Sequence, residues 1–232
     1  MASPVPRLLT AALLLVGGLP LAGTAQAGVA ANMAFTSDYV WRGSSQTGGD
    51  PAVQAGVRAS LPRGLYLGAW GSNVAFVPDA GARSEFDLAI GWQGEPGAGW
   101  VVDASATRYV YPGTGRALDW TEVAATATWR DALWLQVAHS SDALAGGHDG
   151  TWMQVGARVP VHARIRLEVG AAQYRLSRAH GPDYLHGQVG AAVRLVPDWE
   201  LRITGHITDG AARKLFPGAA GSRLEVALQG AF

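Results

Sequence analysis

The sequence predicts an all-β protein: a transmembrane antiparallel up-and-down β-barrel of about 12 strands, preceded by a cleaved signal peptide. Three observations predict it. Apolar and polar residues alternate with period two through almost all of the chain after Ala27. Short connections alternate with long ones. Tryptophan and tyrosine gather at the ends of the alternating segments. Composition agrees with all three. Charged residues make up 16% of the 232, against roughly 25% in an ordinary soluble domain. The 31 glycines are about twice the usual share of ~7%. No apolar run past the N-terminus reaches the ~20 residues of a spanning helix. A barrel suits this mixture, because half of each strand faces lipid and half faces a polar lumen.

The elements follow in chain order. Arg7 precedes the apolar run "LLTAALLLVGGLPLAG", and "AQA" places Ala25 and Ala27 at an A-x-A cleavage site. Residues 1–27 are therefore expected to be a signal peptide and 28–232 the barrel. A retained membrane anchor is the alternative, but Gly17, Gly18 and Pro20 break the run. The chain has no cysteine. An exported protein meets an oxidising compartment, so this fold cannot rest on disulfides, and thiolate metal sites are excluded. The formal net charge is zero, which gives no basic excess for nucleic acid.

The alternation then runs strand by strand. Val29, Ala31, Met33, Phe35, Tyr39 and Trp41 share one face, against Asn32, Thr36, Asp38 and Arg42. Val53, Val57 and Leu61 oppose Gln54, Arg58 and Ser60. Phe86, Leu88, Ile90 and Trp92 oppose Glu85 and Asp87. Ile165, Leu167 and Val169 oppose Arg164, Arg166 and Glu168. Leu201, Ile203 and Ile207 oppose Arg202, Thr204 and His206. A helix would repeat near 3.6 instead. The expected strands are 29–43, 52–61, 65–74, 84–93, 99–109, 118–129, 132–140, 151–159, 163–174, 184–195, 200–208 and 222–232. The faces of 65–74 do not separate cleanly.

Connections such as "PRG", "RD" and "PVH" are short, and alternate with "SSQTGGD", "AFVPDAGAR" and "DGAARKLFPGAAG". Short periplasmic turns and longer outer loops build an outer-membrane barrel in this way. Trp92, Trp100, Trp129, Trp134 and Trp199 lie beside short turns. Trp41, Trp120 and Trp152, with Tyr39, Tyr109, Tyr111, Tyr174 and Tyr184, lie beside long loops. The expectation is two interfacial girdles, with Trp70 an exception in mid-strand. The last segment, "SRLEVALQGAF", must pair with the first, because an open edge does not survive in lipid. Phe232 then anchors at the periplasmic interface. Its terminal position is similar to the signal that barrel-assembly machinery reads in outer-membrane proteins as a class.

Residues 37–74 carry three ordered blocks: S-D-Y-x-x-R-G-x-S-Q, D-P-A-x-Q-x-G and G-L-Y-x-G-x-W-x-S-N-V. This stretch resembles the TorF-type porin family, also catalogued as a conserved hypothetical family of proteobacteria. "HSSDALAG" at 139–146 is a weaker match. The resemblance implies an outer-membrane barrel of a Gram-negative envelope, exported through the periplasm. It transfers no catalytic residue and says little of substrate.

The functional expectation is a porin-like channel for passive diffusion of small hydrophilic solutes, with lipid bilayer and lipopolysaccharide as surroundings. If the N-terminus is periplasmic, Arg58, Arg158, Arg164, Arg166, Arg194 and Arg202 fall toward the periplasmic end of the lumen. Asp38, Glu85, Asp87 and Glu122 fall toward the outer half, and Asp103 breaks the pattern. An arginine-lined constriction would favour anions. The competing expectation is cross-strand salt bridging through Glu168, Glu200 and Glu225, worth roughly 0.2–1 kcal/mol per pair. His139 and Ser141 lie two apart on one strand face, as in barrel lipid hydrolases where a His activates a Ser. The residues give no further support for an enzyme. A closed structural or adhesive barrel is the third class. No cofactor is expected, and the remaining histidines lack ligand spacing for a metal.

Overall fold

Val169 and Ile203 decide the sense of the sheet. In a soluble sandwich both would be buried. Here they are 52% and 44% exposed, while their neighbours Glu168 and Arg202 are buried. The sheet is apolar outside and polar inside.

The computed structural model describes residues 28–232; the expected signal peptide lies outside the described residues. β1 (Gly28–Thr36) opens the barrel. β2 (Val40–Trp41) and β3 (Ser44–Ser45) form a separate hairpin. The barrel resumes with β4 (Ala52–Ser60), β5 (Leu65–Asn73), β6 (Ser84–Gly97) and β7 (Trp100–Val110). It continues through β8 (Trp120–Trp129), β9 (Leu133–Ser140), β10 (Gly150–His162) and β11 (Ile165–Leu176). β12 (Tyr184–Val196), β13 (Trp199–Thr208), a short helix α1 (Gly210–Leu215) and β14 (Arg223–Ala231) complete the described chain. Twelve of these strands close one antiparallel barrel.

Closure is made by β1 and β14. Met33 pairs with Gly230 and Phe35 with Leu228. Ala31 and Phe232 then exchange backbone hydrogen bonds at 3.0 and 2.9 Å. No sheet edge is left to meet lipid, where an unpaired backbone group costs several kcal/mol. The outer surface carries Val57, Leu88, Val155, Val189 and Ile207 in the open. The inner surface buries Thr126, Gln136, Arg158, Glu168 and Arg202. β5, whose faces the sequence left unresolved, now separates: Tyr66 and Ser72 point inward, Leu65 and Leu67 outward. Its glycines mask the alternation by giving no side chain to read.

Glycine also makes room for the lumen's rings. Gly156 lies opposite Trp134, and a Cβ there would collide with the indole. An aromatic ring folded across a narrow lumen needs a bare backbone beneath it.

Two expectations are corrected. The first strand does not run to residue 43. It ends at Thr36, and the chain turns into the barrel mouth, carrying Asp38, Tyr39, Trp41 and Arg42 with it. The outer girdle is the second. Tyr39, Tyr109, Trp120, Trp152, Tyr174 and Tyr184 are all buried, because they pack on that inturned segment. On the short-turn side Trp92 and Trp100 do face outward, each 43% exposed. Trp134 departs from its expected place in that girdle too: it is buried and faces the lumen, under the guanidinium of Arg158.

Val169 sits near the middle of β11. Val169→Arg is expected to lower the stability of the refolded barrel by about 2–4 kcal/mol, the cost of Arg on a lipid face near the bilayer midplane. Urea titration in phospholipid vesicles measures it.

Candidate functional site: a lumen divided by an inturned hairpin

The hairpin is local in origin. Two residues link β2 to β3, Arg42 with φ +50° and Gly43 with φ +81°. Two successive left-handed residues make a type I′ turn, whose twist matches a tight hairpin. A Cβ at Gly43 would strike Thr208 Cγ2 and His186 Cδ2 on the barrel wall. Glycine is required here on both counts.

Asp38 ties the hairpin down. Its carboxylate accepts from the hydroxyls of Ser45 and Thr47. Arg223 Nη1 on β14 reaches its other oxygen at 3.0 Å. Thr47 Oγ1 in turn accepts the Tyr39 amide at 3.1 Å. From above, the Ser45 amide donates to the Ala219 carbonyl at 2.9 Å. The connection after α1 thus forms a cover.

Arg42 is the hairpin's tip and reaches the far wall. Its Nη2 pairs with Glu122 on β8 at 2.8 Å. Its guanidinium carbon lies 4.3 Å from the Trp41 ring centre, 4.9 Å from Tyr174 and 5.0 Å from Trp152. The Tyr184 hydroxyl donates to its carbonyl at 3.1 Å. Burial opposes the charge on Arg42 most strongly, but Glu122 and the tyrosines outweigh it, and its pKa is raised. Burial, then the Glu85 and Asp87 carboxylates, push the Tyr39 phenol well up. Arg42 is a fixed cation in an aromatic cage.

Below the hairpin lies a cavity of about 170 Å³. Trp41, Arg42 and Trp152 form its roof, and Gln136, Gln154 and Gln188 line its walls. One side carries a relay: His186 Nε2 meets His206 Nδ1 at 3.1 Å, and His206 Nε2 meets Glu225 at 3.1 Å. Its floor is an ion-pair lattice. Arg166 grips Glu200 with two bonds of 2.7 and 2.8 Å across Ala192, whose small side chain leaves the space. Arg166 Nε also meets Glu168 at 2.7 Å. Arg202 joins Glu168 and Glu200, and Arg158 reaches Asp131 at 3.1 Å and Glu168 at 3.7 Å. Above the hairpin a second cavity of about 210 Å³ opens among Trp41, Tyr109, Tyr111, Trp120 and Phe216.

The residues singled out in the sequence divide accordingly. Arg158, Arg166, Arg202 and Glu168 meet in the floor lattice. Arg58 and Asp103 form a second pair at 3.9 Å, with Arg58 stacked 3.6 Å over Tyr66. Glu85, Asp87 and Glu122 are buried in the long-loop half of the lumen. Asp38 is the hairpin's tie. Arg164 lies exposed on the turn between β10 and β11, and Arg194 is half-buried beside it. His139 faces outward and hydrogen-bonds Thr151 at 2.9 Å; Ser141 lies in the turn that follows. Sequence reasoning placed Arg42, His206 and Glu225 on polar faces but missed Arg223 and the pairings of Arg42 with Glu122, Arg223 with Asp38 and His206 with His186 and Glu225. The R-G pair was the available signal for the hairpin, but it lacks the Asn-Gly form that marks a type I′ turn most clearly.

Residues 22–231 match a family described as "Bacterial protein of unknown function (Gcw_chp)". The chain belongs to that family. No curated protein sequence matches this Gcw_chp chain. Solved structures share its fold. A KdgM porin has a TM-score of 0.56 at 6% identity, covering 88% of this chain and 99% of that one. The same porin "in complex with disordered oligogalacturonate" gives 0.56 at 6%, covering 88% and 98%. A NanC porin gives 0.54 at 8%, covering 87% and 98%. At such identities the likeness concerns the fold alone.

Gly43→Ala is expected to undock the hairpin, since strained φ alone costs on the order of 1–3 kcal/mol and the methyl also meets the wall. Limited proteolysis of the folded barrel should then cut within residues 38–49, where the parent protein resists.

Proposed function

We propose that this Gcw_chp protein is a porin-like channel of the outer membrane for passive diffusion of small hydrophilic solutes. One observation carries the reading. The barrel encloses a polar-walled cavity of about 170 Å³ along its axis, between the Trp41–Arg42 tip and the arginine–glutamate floor. A barrel held together only for structural ends has no need of glutamines and histidines around internal space. The resemblance of residues 37–74 to TorF-type porins supports the same reading. In this setting the lipid bilayer and lipopolysaccharide surround the apolar belt, and Phe232 anchors the strand presented to the assembly machinery.

Selectivity is the finer part of the proposal. The floor arginines Arg158, Arg166 and Arg202 face Asp131, Glu168 and Glu200, so the lattice has little net field. The short-turn rim is different. It carries Arg63, Arg130, Arg164 and Arg194 against Glu95 and Asp198. That excess favours anions entering or leaving at this end. One KdgM porin structure holds oligogalacturonate, a carboxylated sugar, which accords with a preference for carboxylated solutes.

A second reading has its own observation. The hairpin is tied at Asp38 and clamped at Arg42, which favours a barrel closed at rest. Planar-bilayer recording separates the two. The parent protein is expected to give steady openings, and Trp41→Ala with Arg42→Ala to raise conductance at least twofold. Silence of both proteins would make this a structural barrel. In a salt gradient, Arg164→Ala with Arg194→Ala should move the reversal potential toward cation preference; an unchanged value removes the anion proposal.

A further inference from the structure

Trp41 has aromatic neighbours on both sides, and the chain supplies a cation of its own on only one. On one side Arg42 occupies a cage of Trp41, Trp152 and Tyr174 and pairs with Glu122. On the other side lies the cavity of about 210 Å³ at the outer mouth. Its walls include Trp41, Tyr109, Tyr111 and Trp120, the Tyr109 and Trp120 rings stacked at 4.3 Å. Glu85 lines it, and is only 2% exposed.

The carboxylates here have no cation of their own. In the same half of the lumen Asp38 has Arg223 and Glu122 has Arg42. Among the described residues no ion pair reaches Glu85 or Asp87. Glu85 Oε1 accepts the Tyr111 hydroxyl at 3.0 Å. Its Oε2, and Asp87 Oδ1 behind it, are buried without a hydrogen-bond partner among the described residues. A buried carboxylate with an oxygen unsatisfied is costly unless a cation answers it.

We propose that this outer chamber binds a small organic cation of the alkylammonium class, held among Trp41, Tyr109 and Trp120 and by the Glu85 carboxylate, with buried Asp87 adding negative field from behind it. The walls select the class. Aromatic faces attract a weakly hydrated ammonium through the ring quadrupole. A calcium ion needs 6–8 oxygen ligands, and this chamber offers one carboxylate, Glu85, in a largely aromatic surround. At about 210 Å³ the chamber is larger than the roughly 150 Å³ apolar cavity that admits benzene, enough for a trimethylammonium head. Arg42 is the internal precedent: the chain solves the same problem one ring away with its own side chain. The proposal does not depend on whether the barrel conducts.

Calorimetric titration of the whole refolded barrel in detergent tests it, with choline as the probe. The control ligand is choline's neutral isostere, in which a tert-butyl group replaces trimethylammonium. Choline is expected to bind saturably and at least tenfold more tightly than the isostere. Glu85→Gln with Asp87→Asn should weaken choline at least tenfold and leave the isostere unchanged. Equal binding of the two ligands to the parent protein would make the chamber a merely apolar pocket and overturn the proposal. Absence of saturable choline heat would overturn it too, since the two acids would then hold a proton between them in place of a cation. The ligand comparison uses the parent protein, so a variant that fails to fold does not rescue or spoil it.

Discussion

An open sheet edge cannot stand in hydrocarbon, and the rest of this structure depends on that. Each unpaired amide or carbonyl would lose its hydrogen bond with no water to replace it. The chain therefore has to return β14 to β1, and the pairing of Phe35 with Leu228 and of Ala31 with Phe232 completes the circuit. Once the sheet is closed, parity does the remaining sorting. Every second residue faces lipid, and every other one is forced into a shared interior. The low charge of the chain is a consequence, since only one residue in two along a strand can be polar at all.

A polar interior this narrow has to satisfy itself. The floor arginines do not stand as free positive charges. They are interleaved with Glu168 and Glu200, the close contacts running from 2.5 to 3.1 Å. Buried pairs of this kind gain little net stability, because desolvation offsets the attraction. Their geometric demand is another matter. The two-bond grip of Arg166 on Glu200 spans three strands and holds only if β11, β12 and β13 keep one register. A one-residue slip would send each partner to the lipid face. The lattice is best understood as a register lock.

The barrel was legible in the sequence because its signal is repeated in every strand. Period two, alternating connection lengths and a terminal aromatic all report the same closure. The site was legible only in outline. Arg158, Arg166 and Glu168 could be placed on the inner face, but their mutual pairing depends on register across strands, which no single strand carries. The outer aromatics show a different failure. Tyr109 shares parity with Thr107, Trp120 with Glu122 and Tyr184 with His186. The alternation itself put these rings inside. Their position at strand ends suggested an interfacial belt, and parity was the stronger constraint. What called for rings inside was the segment from Asp38 to Thr47, and its inward course rests on tertiary ties from Arg223, Ala219 and Tyr184 that lie far along the chain.

Those ties give the hairpin its significance. A peptide crossing a water-filled barrel would ordinarily lose more in ordering than it gains in contact. Here the segment brings its own ligands: Asp38 for Arg223, Arg42 for Glu122, Trp41 for the facing rings. It is anchored at base and tip, and the glycine between tip and wall has no side chain to wedge it away. Such a partition turns one lumen into two chambers with different chemistry. The inner one is lined by amides, imidazoles and paired charges, suited to polar solutes. The outer one is aromatic, with the Glu85 carboxylate on its wall, the setting proposed for an ammonium group. Trp41 belongs to both, with one face toward Arg42 and its ring on the border of each cavity. A ligand seated against that ring from outside would therefore touch the same side chain that cages Arg42 within.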